Sequence, residues 1–374
     1  MGLGKTLQVI VFLYAHYIEM AQTSANTLIV CPASLVYNWS QECQQFAPEL
    51  PVFTVAGTAS ERKSLLTSAS DGKGHIFITS YDLLRRDIEL YQTISFDYQI
   101  IDEAQFIKNA TTKAAQAVKQ IDSRFRLALT GTPVENRLGE LWSIFDYLMP
   151  GYLFSYSRFR EELELPIMQQ NDEDALHRIQ KMIAPFILRR LKKEVLKDLP
   201  DKLEKNMYAP MEGDQKELYQ AHVQRLQILL SKQSPEEFNH SKLQILSELT
   251  RLRQLCCDPS LLYENYSAGS AKLDLCIDLI QNATESGHKL LVFSQFTTML
   301  DLIADRLKKA DIPFFLLTGS TSKQERIRLV TEFNKDDIPV FLISLKAGGT
   351  GLNLTAADIV IHYDPWWNTA VQNQ

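Results

Sequence analysis

A chain of 374 residues is long enough for two domains, each with its own core, and its 45% hydrophobic and 22% charged content is that of an ordinary globular protein. No apolar run is long enough to span a bilayer: the run Val9 to Tyr14 soon meets His16 and Glu19. A net charge of -6 excludes a protein coated in nucleic acid all round, while leaving room for a local basic track. The five cysteines (Cys31, Cys43, Cys256, Cys257, Cys276) show no CxxC or metal spacing and read as buried free thiols.

The chain opens on Met1-Gly2-Leu3-Gly4-Lys5-Thr6, the end of a phosphate-binding loop. Backbone N–H groups at Gly2 and Gly4 can approach an anion, the Lys5 ammonium reaches outer phosphates, and the Thr6 hydroxyl can hold Mg²⁺. A helix from about Leu7 to Met20 adds its positive end. Such a loop normally follows a buried strand, so Met1 reads as an internal residue of a longer protein, and the sheet it belongs to is expected to carry an internal gap. Short apolar runs follow at Thr27 to Pro32, His75 to Ser80, Tyr98 to Asp102 and Arg126 to Thr130, with helical segments between them. This alternation predicts a doubly wound parallel sheet with ligands at the carboxyl ends of its strands.

Asp102-Glu103-Ala104-Gln105 stands at such an end. An isolated Asp-Glu pair is more often a helix cap with an acid in its first turn. After a phosphate loop and a strand, Mg²⁺ binding by Asp102 and water positioning or proton acceptance by Glu103 is the better reading. Thr130-Gly131-Thr132-Pro133 ends the next strand with two hydroxyls, and alone is a turn. From Gly151 to about Ala268 the pattern turns helical, as in Leu176 to Leu196, Gln215 to Leu230 and Gln244 to Leu255. Between Lys181 and Lys205 eight Lys or Arg (181, 189, 190, 192, 193, 197, 202, 205) face four acids (194, 198, 201, 204), which reads first as a solvated helix face. Tyr263 to Ser270 reads as a linker. Strands return at Lys289 to Phe293, Phe314 to Leu317, Val340 to Ile343 and Ile359 to His362, with helices at Phe296 to Ala310 and Ser322 to Asn334, the latter opened by a Ser322/Glu325 capping box.

These residues together resemble a known family. Met1 to Gln8, Ile29 to Ser34 with Asn38-Trp39, Asp102 to Gln105 with Lys108-Asn109, and Leu129 to Pro133 with Asn136 and Glu140 to Trp142 look like motifs I, Ia, II and III of Snf2-type ATPases. Phe186 to Arg190, Leu291 to Phe296, Thr318-Gly319 with Arg326 and Phe333, Ser344 to Asn353 and His362 to Asn368 resemble the later blocks in order, and Val134 to Leu138 has a bacterial flavour. Gln105 stands where many relatives have histidine. The resemblance implies an α/β protein of two RecA-like doubly wound parallel-sheet lobes, lobe 1 at 1–150, a helical insertion at 151–268 and lobe 2 at 269–374. It implies ATP at Gly2, Gly4, Lys5, Thr6, Asp102 and Gln105, Mg²⁺ at Thr6 and Asp102, and catalysis by Lys5, Asp102 and Glu103. It further implies duplex-DNA contacts at Ser80, Tyr81, Lys108, Asn109, Thr318, Gly319, Lys346 and Gly349, and coupling through Thr130 and Thr132.

The family's motif VI would begin at Gln374, so its arginines lie beyond these residues and the expectation is that the 374 residues alone do not turn over ATP. The implied function is translocation on duplex DNA that remodels DNA-bound protein complexes such as RNA polymerase. The implied location is cytoplasmic, at the nucleoid in a bacterium, or nuclear in a eukaryote. The rival is a non-catalytic DNA- or protein-binding module derived from such an ATPase. An unrelated P-loop kinase or transporter ATPase fails on the second lobe.

Overall fold

The computed structural model describes residues 3–19, 26–68, 74–131, 137–190, 192–195, 203–231, 235–348 and 352–366. Contacts divide the chain into two units, Met1–Asp201 and Lys202–Asn373. The first begins α1 (Lys5–Glu19), β1 (Thr27–Cys31), α2 (Val36–Phe46), β2 (Val52–Thr54), α3 (Ala59–Ser68), β3 (Ile76–Ser80), α4 (Tyr81–Arg86), α5 (Ile88–Tyr91), β4 (Phe96–Ile101), α6 (Lys113–Lys119), β5 (Ser123–Ala128) and α7 (Leu138–Leu148). A helical annex follows: α8 (Tyr156–Phe159), a π-turn at Arg160–Glu164, α9 (Leu165–Gln170), α10 (Glu173–Ile183) and α11 (Lys192–Val195). The second unit holds α12 (Gly213–Ser231), α13 (Pro235–Cys257), α14 (Ala271–Glu285), β6 (Leu290–Ser294), α15 (Thr297–Lys309), β7 (Phe314–Leu317), α16 (Lys323–Lys335), β8 (Val340–Ser344), α17 (Leu345–Gly348) and β9 (Ile359–His362).

The first unit's sheet runs β2-β3-β1-β4-β5, all parallel, and the second unit's runs β7-β8-β6-β9, also parallel. Both sheets are covered on two faces, which is why their strands read as unbroken apolar runs. Along β1, Leu28 and Val30 pack with Phe77, Ile101 and Tyr147, under α4, α6 and α7. Ile29 and Cys31 point the other way, to Val9, Ile10 and Leu13 of α1 and Trp39 of α2. In the second unit Leu290 and Val292 meet Ile277 of α14 and Ile303 of α15. Leu291 joins Phe341, Ile343 and Phe333 of α16 on the opposite face. No described helix is long and apolar enough to cross a membrane.

Three expectations are corrected. The sheet of the first unit carries no internal gap. β1 pairs β3 on one side and β4 on the other, with Thr27 opposite both Ile76 and Tyr98, so its neighbours close directly on it and leave no place for a further strand there. The unpaired edges of the described sheet are the outer sides of β2 and β5. The helix expected over 176–196 stops at Ile183. Pro185 brings no backbone N–H and constrains the residue before it, so the chain makes a 3₁₀ turn at Ala184–Phe186. The segment 263–270 is ordered rather than loose: the Tyr263 hydroxyl meets His222 Nε2 at 2.9 Å, and Ser270 Oγ donates to the Cys257 carbonyl at 2.8 Å.

Phe77 is fully buried between β3's neighbours and α4. Phe77→Ala is expected to destabilise the first unit by about 3–5 kcal/mol, the usual cost of a phenylalanine cavity, read as a lower urea midpoint with unchanged slope. A loss under about 1 kcal/mol would show that this core is not close-packed.

Candidate functional site

Parallel strands deliver their carboxyl ends to one edge of a sheet. In the first unit this edge gathers the residues after β1, β3, β4 and β5, and the start of α1 supplies the phosphate loop. Gly4 has φ 67, a left-handed conformation that a side chain resists even though a Cβ there would meet nothing closer than Leu7 Cβ at 4.0 Å. Gln8 N donates to the Gly4 carbonyl at 2.9 Å, which starts the helix directly behind the loop. Lys5 Nζ is buried and has no hydrogen-bond partner among the described residues. Thr6 is half-buried in the same turn.

Asp102 follows β4 and is buried. Its Oδ1 accepts the Glu103 amide at 2.8 Å, its Oδ2 accepts the Trp39 indole Nε1–H at 2.9 Å, and its carbonyl accepts the Tyr81 hydroxyl at 2.7 Å. Glu103 is left-handed, at φ 50 and ψ 57. A non-glycine residue there costs of order 1–3 kcal/mol and is kept where the surroundings demand it. The turn lets the Ala104 amide reach the Leu129 carbonyl at 2.9 Å, tying the end of β4 to the end of β5.

Gln105 joins these two ends through side chains. Its Nε2 donates to Glu103 Oε2 at 2.6 Å, and its Oε1 accepts Thr130 Oγ1 at 2.9 Å. Burial raises the Glu103 pKa, the Gln105 hydrogen bond and the Lys5 charge pull it back, and Asp102 adds to the rise. Glu42, one turn beyond Trp39 on α2, is also raised, by burial first and then by Asp102, so a third carboxyl group feels this site. The Cys31 thiol is pushed well up by burial and by Asp102, and stays neutral.

Among the described residues no group of three or more His, Cys, Asp or Glu could hold a metal ion. Magnesium does not need one: it commonly takes one or two carboxylates and completes its shell with water and substrate phosphate. Thr6 and Asp102 are hard oxygen donors of that kind, and the Lys5 ammonium, without a hydrogen-bond partner among the described residues and close enough to act on the Glu103 charge, suits an anion. The residues fit a magnesium–phosphate ligand.

Of the remaining expected residues, Ser80 is buried and caps α4, accepting the Leu83 amide at 3.3 Å. Tyr81 is buried too, its ring stacked on Phe106 at 5.3 Å. Lys108 Nζ lies 3.9 Å from Glu140, and exposed Asn109 accepts Thr111 Oγ1 at 2.8 Å. In the second unit Thr318 follows β7, its amide held by Thr321 Oγ1 at 3.1 Å, and Gly319 beside it is exposed. Lys346 is exposed on α17 at the end of the neighbouring strand β8. Arg253 donates to the Pro365 carbonyl at 2.6 Å and lies 5.4 Å from the Trp366 ring, so that tryptophan packs against its own unit. Gly2, Thr132, Gly349 and Trp367 lie outside the described residues. The Trp39 contact to Asp102 was not foreseen: Asn38-Trp39 stands out in the sequence, but nothing there says where the indole N–H points.

Residues 1–261 match the family described as SNF2-related domain, and residues 271–374 match the helicase conserved C-terminal domain. The chain is 39% identical over 390 residues to the putative ATP-dependent helicase/translocase YwqA of Bacillus subtilis, covering 100% of this chain and 41% of that protein. It is 38% identical over 376 residues to an uncharacterized ATP-dependent helicase of Mycoplasma pneumoniae, covering 100% and 35%. The chain thus spans about two fifths or less of the length of these curated relatives. A solved structure, the Sulfolobus solfataricus SWI2/SNF2 ATPase core in complex with dsDNA, is 35% identical, with 98% of this chain and 77% of that one covered and a TM-score of 0.49. With a family match over residues 1–261 and a helicase C-terminal match after it, this chain belongs to the SNF2-related family.

Proposed function

We propose that this chain is the ATP-hydrolysing core of a translocase on duplex DNA that remodels protein complexes bound there. The observation that carries the reading is the buried Lys5 ammonium without a hydrogen-bond partner, electrostatically linked to a Glu103 carboxyl group that is itself held by Gln105. The helicase/translocase name of the Bacillus subtilis relative supports it.

In this reading Lys5 donates to a phosphate oxygen, and the positive end of α1 faces the same charge. Thr6 and Asp102 would hold Mg²⁺, which when bound neutralises charge on the phosphates. Glu103 orients the attacking water and takes its proton, and Gln105 fixes which way its carboxylate faces. The chain Glu103–Gln105–Thr130 gives the loop after β5 a direct link to that carboxylate, which suits Thr130, with Thr132, to coupling. DNA phosphates are taken at Ser80-Tyr81, Lys108-Asn109, Thr318-Gly319 and Lys346 to Gly349. Because the Ser80 and Tyr81 side chains are committed inside the protein, the contact there is through backbone. Contacts of this kind fix register without reading sequence.

In the full-length protein Glu103→Gln is expected to keep ATP affinity and lower turnover roughly 10²–10⁴-fold, the usual worth of a positioned base. Lys5→Ala is expected to weaken ATP binding roughly 10- to 150-fold, matching the 1.5–3 kcal/mol of a hydrogen bond to a charged group. Turnover by Glu103→Gln near the parent rate would remove Glu103 from the water. Absence of turnover by the full-length protein, with duplex DNA or without it, would favour a non-catalytic binding module.

The raised Glu103 pKa fixes a pH dependence. A base must be ionised to act, so activity falls as pH drops through that pKa, which burial raises from the ordinary glutamate value. Gln105→Ala removes a hydrogen bond that favours the ionised form, so the acid limb of kcat/KM should move to higher pH. A limb that stays put or moves down would contradict the arrangement.

Lys108→Ala and Lys346→Ala should each weaken duplex binding irrespective of base sequence and lower the slope of log affinity against log salt by about 1. Unchanged slopes would place the phosphate contacts elsewhere.

A further inference from the structure

The carboxylate of Asp102 is held on one side by its own neighbour and on the other by a distant residue. Oδ1 takes the Glu103 amide, a bond the local turn provides. Oδ2 takes the indole N–H of Trp39, from a helix 63 positions earlier in the chain. The Trp39 ring is 1% exposed and packed among Ile10, Leu13, Ile29 and Ile78. Such a ring has no freedom to follow a moving partner, and its single donor defines one point in space. A tryptophan needed only to fill the core could satisfy its N–H on a backbone carbonyl; this one meets the charged oxygen of the residue assigned to magnesium. The Tyr81 hydroxyl holds the Asp102 backbone carbonyl in the same way, from α4.

We infer that Trp39 is a positioning residue for the metal-holding carboxylate: its indole N–H fixes the plane of the Asp102 side chain so that the remaining lone pairs are presented to Mg²⁺ in one orientation. The inference rests on the reading of Asp102 given above. Outer-shell donors of this type are worth roughly 10- to 100-fold in metal affinity. Trp39→Phe keeps most of the ring volume and removes the donor. Without it the carboxylate can rotate, and part of the metal's binding energy goes to ordering it.

The test is Mn²⁺ binding to the protein–ADP complex, followed by electron paramagnetic resonance of free Mn²⁺, alongside ADP affinity with metal removed. Trp39→Phe should bind Mn²⁺ roughly 10- to 100-fold more weakly. Its metal-free ADP affinity should be unchanged, and in the full-length protein excess Mg²⁺ should restore turnover towards the parent kcat. A merely structural tryptophan would lower stability and leave the metal requirement where it was. Unchanged Mn²⁺ affinity in Trp39→Phe, with affinity lost in Asp102→Asn, overturns the positioning role and leaves the Asp102 reading standing. Unchanged affinity in Asp102→Asn overturns both. A second measurement uses the unaltered chain, in case Trp39→Phe folds poorly. The ¹⁵N-labelled Trp39 indole resonance should shift when Mg²⁺ is added to the ADP complex of the parent and not of Asp102→Asn. A resonance indifferent to Mg²⁺ in the parent overturns the inference.

Discussion

The Lys5 ammonium is shielded from water and donates to nothing in the described structure. An ammonium in that position costs several kcal/mol unless an anion meets it. Three neighbours favour an anion: the turned backbone at Gly4, the positive end of α1, and the Thr6 hydroxyl in the same turn. The carboxylates at the end of β4 would oppose an anion if they acted alone. On the reading proposed above a magnesium ion would resolve the conflict, because it takes oxygen ligands from both sides, protein and phosphate.

The sheet is what makes that arrangement possible. Parallel pairing of β1, β3 and β4 puts Cys31, Ser80 and Asp102 at one edge, in register. Two side-chain links then cross between strand ends. Trp39, after β1, holds Asp102, and Thr130, after β5, holds Gln105, which holds Glu103. The left-handed Glu103 is the local strain that lets these links form together. The helices supply rigidity: both faces of the sheet are packed, so the strand ends cannot drift without opening a core.

Much of this was legible because burial leaves a plain mark on parallel strands. β7 and β9 occupy the stretches their apolar runs indicate, and β1 is buried at every position of Thr27–Cys31. Ser322 caps α16 by accepting the Glu325 amide at 3.3 Å, as its spacing suggests. The placement of Lys5 at a helix start and of Asp102-Glu103 directly after a strand was legible from the apolar runs beside them; the chemistry assigned to them is the proposal made above. β2 was not legible: three half-buried residues after Pro51 carry too little pattern. The closure of the first sheet was not legible either, since the choice of neighbour for each strand is a tertiary matter that no apolar run encodes. The same holds for the Trp39–Asp102 bond. In the sequence Trp39 is one of the residues that carry the family resemblance, and the direction of its N–H is set by packing across 63 positions.

The central claim is that Lys5, Thr6 and Asp102 together hold a magnesium–nucleotide. It is tested most directly by an experimentally determined structure of the protein with Mg²⁺ and ADP–beryllium fluoride. The account expects Lys5 Nζ within hydrogen-bond reach of a phosphate or fluoride, and the metal between the Thr6 hydroxyl and the Asp102 carboxylate, with Trp39 Nε1 still on Oδ2. A nucleotide bound elsewhere, with Lys5 still lacking an acceptor, would contradict it.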